Sequence, residues 1–188
     1  KKSKYYFDIA ANRNHPVAFL NLGVMYRFGH GVKQDYIKAK RYFELASFYN
    51  IPDAFVNLGD LYNEGLGMEK NIIEARKYYE IAANFNDPVA FCRLGEFYLN
   101  NYDDSYLDKA KEYFELSAQQ NNSKAIYYLG VFYIKGIACR KDYSKAIECF
   151  ELSANLGNAN ALECLGKIYM EGIGVKKDFL KAKEYYEL

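Results

Sequence analysis

Two histidines, four cysteines and three Gly-x-Gly triplets are the residues whose types could build a metal, catalytic or phosphate site in this chain. Neither His15 nor His30 has a cysteine nearby to complete the four ligands of a zinc site. His30 lies between two glycines in a predicted loop, and a loop histidine needs a positioned partner to act as a general base. His15 precedes Pro16 in a predicted turn between helices. We therefore predict no metal site and no catalytic histidine.

The cysteines are Cys92, Cys139, Cys149 and Cys164. They show no C-x-x-C or other metal-ligand spacing, and such cysteines are typically small, hydrophobic free thiols. Free thiols are typical of reducing compartments, so a cytoplasmic location is favoured, although the sequence does not fix one. A disulfide between Cys149 and Cys164 stays open, because these residues fall on neighbouring predicted helices.

The glycine triplets, at 29–31, 65–67 and 172–174, do not predict a phosphate site. They follow predicted helices and not strands, and they lack the lysine and hydroxyl residue of a P-loop. No serine stands in a nucleophile-elbow motif. We therefore predict that the chain is not an enzyme and that it uses no cofactor.

Charge and hydropathy exclude two classes of partner. The net charge is +1, from 25 basic and 24 acidic residues spread along the chain, whereas a nucleic-acid binder shows a basic stripe. No apolar run approaches the roughly 18–20 residues of a membrane span, so we predict no membrane insertion by this segment. Hydrophobic residues make up 51% of the chain, which favours a packed core over disorder.

Five of the Leu-Gly pairs in the chain recur at intervals of 36, 36, 35 and 36 residues. The pairs are Leu22-Gly23, Leu58-Gly59, Leu94-Gly95, Leu129-Gly130 and Leu165-Gly166. An alanine stands four residues before each leucine and a tyrosine four after it, which places all three on one face of a helix, helix A. The glycine, in mid-helix, costs about 1 kcal/mol relative to alanine. Its recurrence predicts that a second helix backbone passes too close for a Cβ.

Local signals predict where the helices begin and end. Helix A should start at Pro16, Pro52 and Pro88 and stop at Gly29, Gly65, Gly136 and Gly172, with Asn101 taking the glycine's place in the third repeat. A second helix, helix B, should be N-capped by Asp35, Asn71, Asp142 and Asp178, and should end before Asn50, Asn86, Asn121 and Gly157. The third repeat lacks both loop glycines. There we expect a reshaped acidic loop at 101–106, with Ser105 and Asp108 as a capping box.

The unit A-x-x-x-L-G-x-x-Y-x-x-G-x-G-V-x-x-D-x-x-K-A-x-x-Y-Y/F, nearly complete from Ala18 to Phe43, resembles the Sel-one-like repeat, a relative of the tetratricopeptide repeat. The resemblance implies an all-α fold in which antiparallel helix pairs stack into a right-handed α-α superhelix, or solenoid. The repeats fall near 16–51, 52–87, 88–122, 123–158 and 159–188, with a partial helix B at 1–14. We expect one solenoid over 1–188 that is a piece of a longer array.

Sel-one-like repeat proteins generally act as adaptors or scaffolds. The resemblance therefore implies a protein-interaction scaffold that binds a protein or peptide in its concave groove. Two alternatives stay open: a regulatory repeat segment of a larger enzyme such as a kinase, and a cell-wall or sugar-binding module whose tyrosines stack on sugars. The oligomeric state and the partner stay open as well.

By analogy with tetratricopeptide repeats, helix A should line the groove with its non-core positions. The candidate partner-binding residues stand two before, two after and five after the repeated leucines: Leu20, Val24, Arg27, Val56, Asp60, Asn63, Glu96, Leu99, Tyr127, Val131, Ile134, Lys167 and Met170. Their side chains vary between repeats, as expected for a surface free of packing constraints. The apolar members, Leu20, Val24, Tyr127, Val131 and Ile134, are favoured as anchors, because exposed apolar groups gain most from binding.

Overall fold

Helices joined by short loops form the whole of the described chain, which in this computed structural model covers residues 2–101 and 103–188, without the side chains of Lys2 and Ser3. The helices are α1 (Lys2–Asn12), α2 (Pro16–Phe28), α3 (Tyr36–Ser47), α4 (Pro52–Glu64), α5 (Ile72–Ala83), α6 (Pro88–Asn101), α7 (Leu107–Ala118), α8 (Ser123–Lys135), α9 (Tyr143–Asn155), α10 (Ala159–Glu171) and α11 (Phe179–Glu187). Lys1 and Tyr102, which the expected partial helix and acidic loop include, lie outside the described residues. No strand occurs within the described ranges, and the all-α prediction is confirmed.

The chain divides into two compact units, one ending at Ala90 and the other beginning at Phe91. In the first unit, α1 packs on α2, α2 on α3, α3 on α4 and α4 on α5. In the second, α7 packs on α8, α8 on α9, α9 on α10 and α10 on α11. In each of these pairs a helix contacts the next helix along the chain, which is the pattern of a repeat protein. The even-numbered helices are the predicted A helices, and the odd-numbered ones are the B helices.

Helix B begins at a side-chain cap in four repeats, as predicted. The side-chain oxygens of Asp35, Asn71, Asp142 and Asp178 accept hydrogen bonds from the backbone N–H three residues further on, over 2.9 to 3.0 Å. Each bond satisfies one of the N–H groups that a helix start leaves without a partner inside the helix. The three prolines occupy the first position of α2, α4 and α6, where their missing N–H costs nothing.

The predicted helix stops are also confirmed, except for the stop of the A helix in the third repeat. Gly29, Gly65, Gly136 and Gly172 follow their A helices in the left-handed conformation, with φ between 70° and 74°. Asn50, Asn86 and Asn121, at φ of 56° to 60°, and Gly157, at 87°, do the same after the B helices. Glycine and asparagine are the residues that tolerate this conformation best.

The third repeat corrects two predictions. Asn101 is not a left-handed stop, because α6 continues through it and its side-chain amide donates to the Phe97 carbonyl over 2.9 Å. The capping box is wrong too: Asp103, and not Ser105, accepts the capping bond, from the Ser105 backbone N–H at 3.0 Å. A 3-10 turn over Asp104–Tyr106 follows and leads directly into α7. Without the Gly-x-Gly pair, the chain leaves helix A by a different route.

The repeated glycine in helix A faces an aromatic ring and not a helix backbone, which corrects the predicted reason for its recurrence. A Cβ on Gly23 would lie 2.4 Å from the Phe43 ring, and one on Gly59 would lie 2.4 Å from the Tyr79 ring. The same contact recurs from Gly95 to Phe114, from Gly130 to Phe150 and from Gly166 to Tyr186, at 2.6 to 2.7 Å. Each of these rings is the second of two adjacent helix B residues, which form an aromatic pair in every repeat but the fourth. Helix A therefore carries a notch that receives the second ring of the helix B aromatic pair.

The first ring of that pair stacks on the tyrosine of helix A. Ring centroids lie 5.5 to 5.8 Å apart with interplanar angles of 7° to 17°. The stacked pairs are Tyr26–Tyr42, Tyr62–Tyr78, Tyr98–Tyr113 and Tyr169–Tyr185. The fourth repeat has Cys149 in place of the first ring, and the ammonium groups of Lys145 and Lys111 lie 5.6 and 5.9 Å from the Tyr133 ring there.

Candidate partner-binding site

Three of the predicted groove residues are buried, which contradicts the premise that these positions are free of packing. Arg27, Val56 and Asp60 are only 8%, 5% and 5% exposed. Val56 belongs to a buried cluster with Phe55 and Ala82, where its side chain fills space between helices. These three residues form part of the interior of the first unit.

Arg27 and Asp60 form a buried ion pair between α2 and α4, at what we call the α2–α4 contact. Arg27 Nη1 lies 3.0 Å from Asp60 Oδ2 and donates also to Asn57 Oδ1 at 2.9 Å. The Tyr79 hydroxyl donates to the other Asp60 oxygen at 2.9 Å, and Glu64 Oε1 lies 3.4 Å from Arg27 Nη2. A buried charge is tolerated only with such partners. The Arg27 side chain thus closes the space between these two A helices.

Glu96, another predicted groove residue, is committed to contacts within the second unit. Its carboxylate lies 2.9 Å from Arg93 Nη1 and 2.5 Å from Lys124 Nζ, and it accepts a hydrogen bond from the Tyr128 hydroxyl at 2.9 Å. Burial and the nearby Glu96 carboxylate together raise the pKa of Tyr128, so its hydroxyl stays a donor. A partner would have to break this set of bonds to use Glu96.

Four predicted residues meet at one apolar cavity between α8 and α10, the α8–α10 cavity, of about 260 Å³. Tyr127, Val131 and Ile134 come from α8 and Lys167 from α10. The other lining residues are Lys135, Phe150, Cys164, Ile168 and Ile173. Spacings of four and three residues put Tyr127, Val131 and Ile134 on one stripe of α8, which is why the sequence could place them together.

The remaining candidates do not share this site. Leu20 and Val24 are half-buried and pack on the core cluster that includes Phe43 and Leu58. Asn63 and Leu99 are half-buried on α4 and α6, and Met170 is 41% exposed on α10 outside the cavity lining. Their role in binding stays a prediction.

Sequence reasoning missed several cavity residues, of which Lys135 and Cys164 carry functional groups, an ammonium and a thiol. Both stand one residue away from a position that was considered: Lys135 follows Ile134, and Cys164 precedes the repeated Leu165. The face of a helix includes residues next to the positions spaced three or four apart. Including these neighbours in the candidate set would have identified both residues. Phe150, which also lines the cavity, lies in the core at 1% exposure.

The cysteines are all free thiols, so Cys149 and Cys164 are not bridged. Burial raises the pKa of the Cys164 thiol. Burial also raises the pKa of the Tyr127 hydroxyl, and the neighbouring Cys164 raises it further. Both groups therefore stay neutral around pH 7, and the charged groups that line the cavity are the two lysines. Within the described residues, no cluster of three or more histidine, cysteine or acidic side chains is placed to hold a metal ion.

Helix pairs repeated along an all-α chain define the class of α-solenoid repeat proteins. A family model described as the Sel1 repeat matches residues 17–47, 52–84, 90–122, 123–158 and 161–188. The chain belongs to the Sel1 repeat family. Proteins of this family are generally non-catalytic scaffolds for protein interaction. In the part of the chain that the structure describes, no helix has the length and apolar character needed to cross a bilayer.

Solved structures support the same assignment. A Sel1 repeat protein from Oxalobacter formigenes is 34% identical, with a TM-score of 0.89 over 99% of this chain and 77% of its own. A protective antigen of uropathogenic Escherichia coli with an SLR fold is 30% identical, with a TM-score of 0.76. The match covers 98% of this chain and 40% of the antigen. An immunity protein from Pseudomonas aeruginosa, 24% identical with a TM-score of 0.72 over 98% of this chain and 71% of its own, shares the fold. A search of curated proteins finds no match.

Proposed function

We propose that this chain is a scaffold that holds a protein or peptide partner, and that the α8–α10 cavity receives an apolar side chain of that partner. The observation that carries the proposal is the cavity itself, in which the half-buried side chains of Tyr127, Val131 and Ile134 border open space. Filling such a space removes apolar surface from water, which is worth about 25 cal/mol per Å². Family membership supports the general role of a scaffold.

Cavity size favours a side chain over a free small molecule. Sites for cofactors and drug-sized ligands usually span about 300–1,000 Å³, and this cavity, at about 260 Å³, lies below that range. An apolar pocket that takes a single anchor side chain is a common centre of a protein interface.

A variant that closes the cavity tests this function. Ile134→Arg combined with Lys167→Asp places an ion pair at the positions of the fourth and fifth repeats that are equivalent to Arg27 and Asp60 in the first and second repeats. Leu180→Ala is the control, because Leu180 lies exposed on α11, outside the cavity lining and outside the candidate binding residues. Circular dichroism and thermal unfolding establish that each variant folds.

The binding measurement is affinity capture from a lysate with the immobilised chain, followed by identification of the retained proteins. We expect one set of proteins that the wild type and Leu180→Ala retain and the closed variant loses. Retention of the same proteins by a folded closed variant would contradict the proposal. So would binding to cell-wall glycan with no protein retained.

A further inference from the structure

We infer, on the basis of the function proposed above, that the partner segment in the α8–α10 cavity carries a bulky apolar side chain with acidic residues next to it. Equivalent positions in the repeats give the argument. Arg27 and Ile134 both stand five residues after the repeated leucine, in the first and fourth repeats. Asp60 and Lys167 both stand two residues after it, in the second and fifth repeats.

In the first unit, a side chain of the protein occupies the space between two A helices that is equivalent to the α8–α10 cavity. The stem and guanidinium of Arg27 enter between the helices, and the charged end meets Asp60 at 3.0 Å and Glu64 at 3.4 Å. At the α8–α10 cavity the filling side chain is replaced by the shorter, uncharged Ile134, and the acid that received it is replaced by Lys167. The space is left open and the charge beside it is reversed.

The second lysine strengthens this positive edge. Lys135, exposed at the end of α8, lines the same cavity and forms no ion pair with the described residues. The two lysines are the charged side chains that line the cavity, and their long stems can follow a ligand backbone while the ammonium groups reach a carboxylate. A basic ligand would meet like charges, which costs affinity and selects against such partners.

Two acidic residues on α10 do not cancel the preference of the cavity for an acidic ligand. Glu171 Oε1 lies 4.0 Å from Lys167 Nζ, and both side chains are well exposed, at 48% and 63%, so water and salt weaken that pair. Glu163 is exposed and does not line the cavity. A ligand carboxylate held by an anchored side chain can take the place of Glu171 at Lys167, because its approach is already fixed by the anchor.

A selection experiment tests the partner's chemistry without requiring its identity. A displayed library of random short peptides is selected on the immobilised wild-type chain and counter-selected on the closed variant, Ile134→Arg with Lys167→Asp. We expect the retained peptides to be enriched in a bulky apolar residue flanked by aspartate or glutamate. A labelled peptide made from the enriched sequence should bind about tenfold more tightly than its glutamine-flanked analogue at low salt, and this advantage should shrink as salt rises.

Charge reversal supplies the second arm. Lys135→Glu combined with Lys167→Glu keeps the apolar wall and should select peptides with the same anchor flanked by lysine or arginine. If apolar peptides are enriched with no preference for flanking charge in either protein, the acidic partner is wrong while the proposed cavity function stands. If no peptide depends on the cavity at all, both are wrong.

Discussion

Arg27 Nη1 and Asp60 Oδ2 lie 3.0 Å apart across two successive A helices, with both side chains less than a tenth exposed. The pair joins the first repeat to the second, whereas most other ion pairs in the described residues join neighbours on one helix, such as Lys40 and Glu44 at 3.6 Å. The contribution of an ion pair to the stability of this chain should therefore depend on whether the pair is buried between helices or exposed on one helix.

Asp60→Ala should lower the free energy of unfolding by about 3–5 kcal/mol, because it leaves the buried Arg27 guanidinium without its main counter-charge. Glu44→Ala, which breaks an exposed pair four residues apart, should change it by less than about 0.5 kcal/mol. Chemical denaturation followed by circular dichroism measures both. Equal, small losses in the two variants would show that the Arg27–Asp60 pair stabilises no more than a surface pair.

Cys149→Tyr should stabilise the second unit by about 0.5–1.5 kcal/mol, the usual gain from an aromatic pair. The new ring would stack on Tyr133, as Tyr42 stacks on Tyr26 in the first repeat. Tyr42→Cys is the reverse change and should destabilise the first unit. Thermal unfolding checks both, and destabilisation by Cys149→Tyr would mean that the space beside Tyr133 does not admit a ring.

Ala138→Gly should raise stability by roughly 0.5 kcal/mol. Ala138 holds a left-handed φ of 51°, which costs an alanine about 1–2 kcal/mol, and the gain from glycine is reduced by its greater freedom in the unfolded chain. Gly174→Ala is the opposite change at the equivalent position and should destabilise, because its Cβ would lie 2.3 Å from Tyr143 Cβ and its φ is 70°. Urea denaturation of both variants gives the comparison.

Stability should fall with rising pH partly through Cys92. Burial raises the pKa of the Cys92 thiol from 9.0 to about 12, so the unfolded chain releases this proton first and alkaline pH favours unfolding. Stability from this residue is fully present below pH 9.0 and is lost progressively as pH rises toward about 12. Between about pH 8 and about pH 10, the wild type should lose about 1.4 kcal/mol more than Cys92→Ala.

The comparison uses the change in the free energy of unfolding with pH. The cavity that Cys92→Ala creates lowers stability by the same amount at each pH, so it does not affect this comparison. Denaturant midpoints of the two proteins at each pH give the slopes. Parallel slopes would show that Cys92 ionises alike in the folded and unfolded chains.

Local signals in the sequence predicted the caps and stops well, because each depends on a residue and its immediate neighbours. Asp35 accepts its capping bond from three residues away, and Gly65 ends its helix through its own backbone angle. The third repeat shows the limit: Asn101 had the right type for a helix stop, but its side chain bonds back into the helix. Residue type alone does not decide between these two uses of an amide.

The lining of the candidate cavity could be predicted only in part, because the exposure of a side chain depends on the side chains that a distant repeat places beside it. Arg27 and Asp60 were taken for groove residues, yet each is buried by a partner 33 positions away. Tyr127, Val131 and Ile134, which line the cavity, were among the candidates because one helical stripe carries all three, and their role in binding stays a prediction. Whether their space was filled or open could not be predicted, since it depends on the side chains at 164 and 167 of the next repeat.

The notch at each mid-helix glycine has an evolutionary consequence. Gly23 receives Phe43 and Gly130 receives Phe150, so both halves of this fit are encoded within a single repeat. A duplicated or transplanted repeat would carry its own fit with it and fold its helix pair without adjustment from its new neighbours. The Arg27–Asp60 pair is encoded in two repeats and would be lost in the same exchange. The packing within a repeat is therefore inherited with that repeat, whereas contacts between repeats must evolve again after each rearrangement.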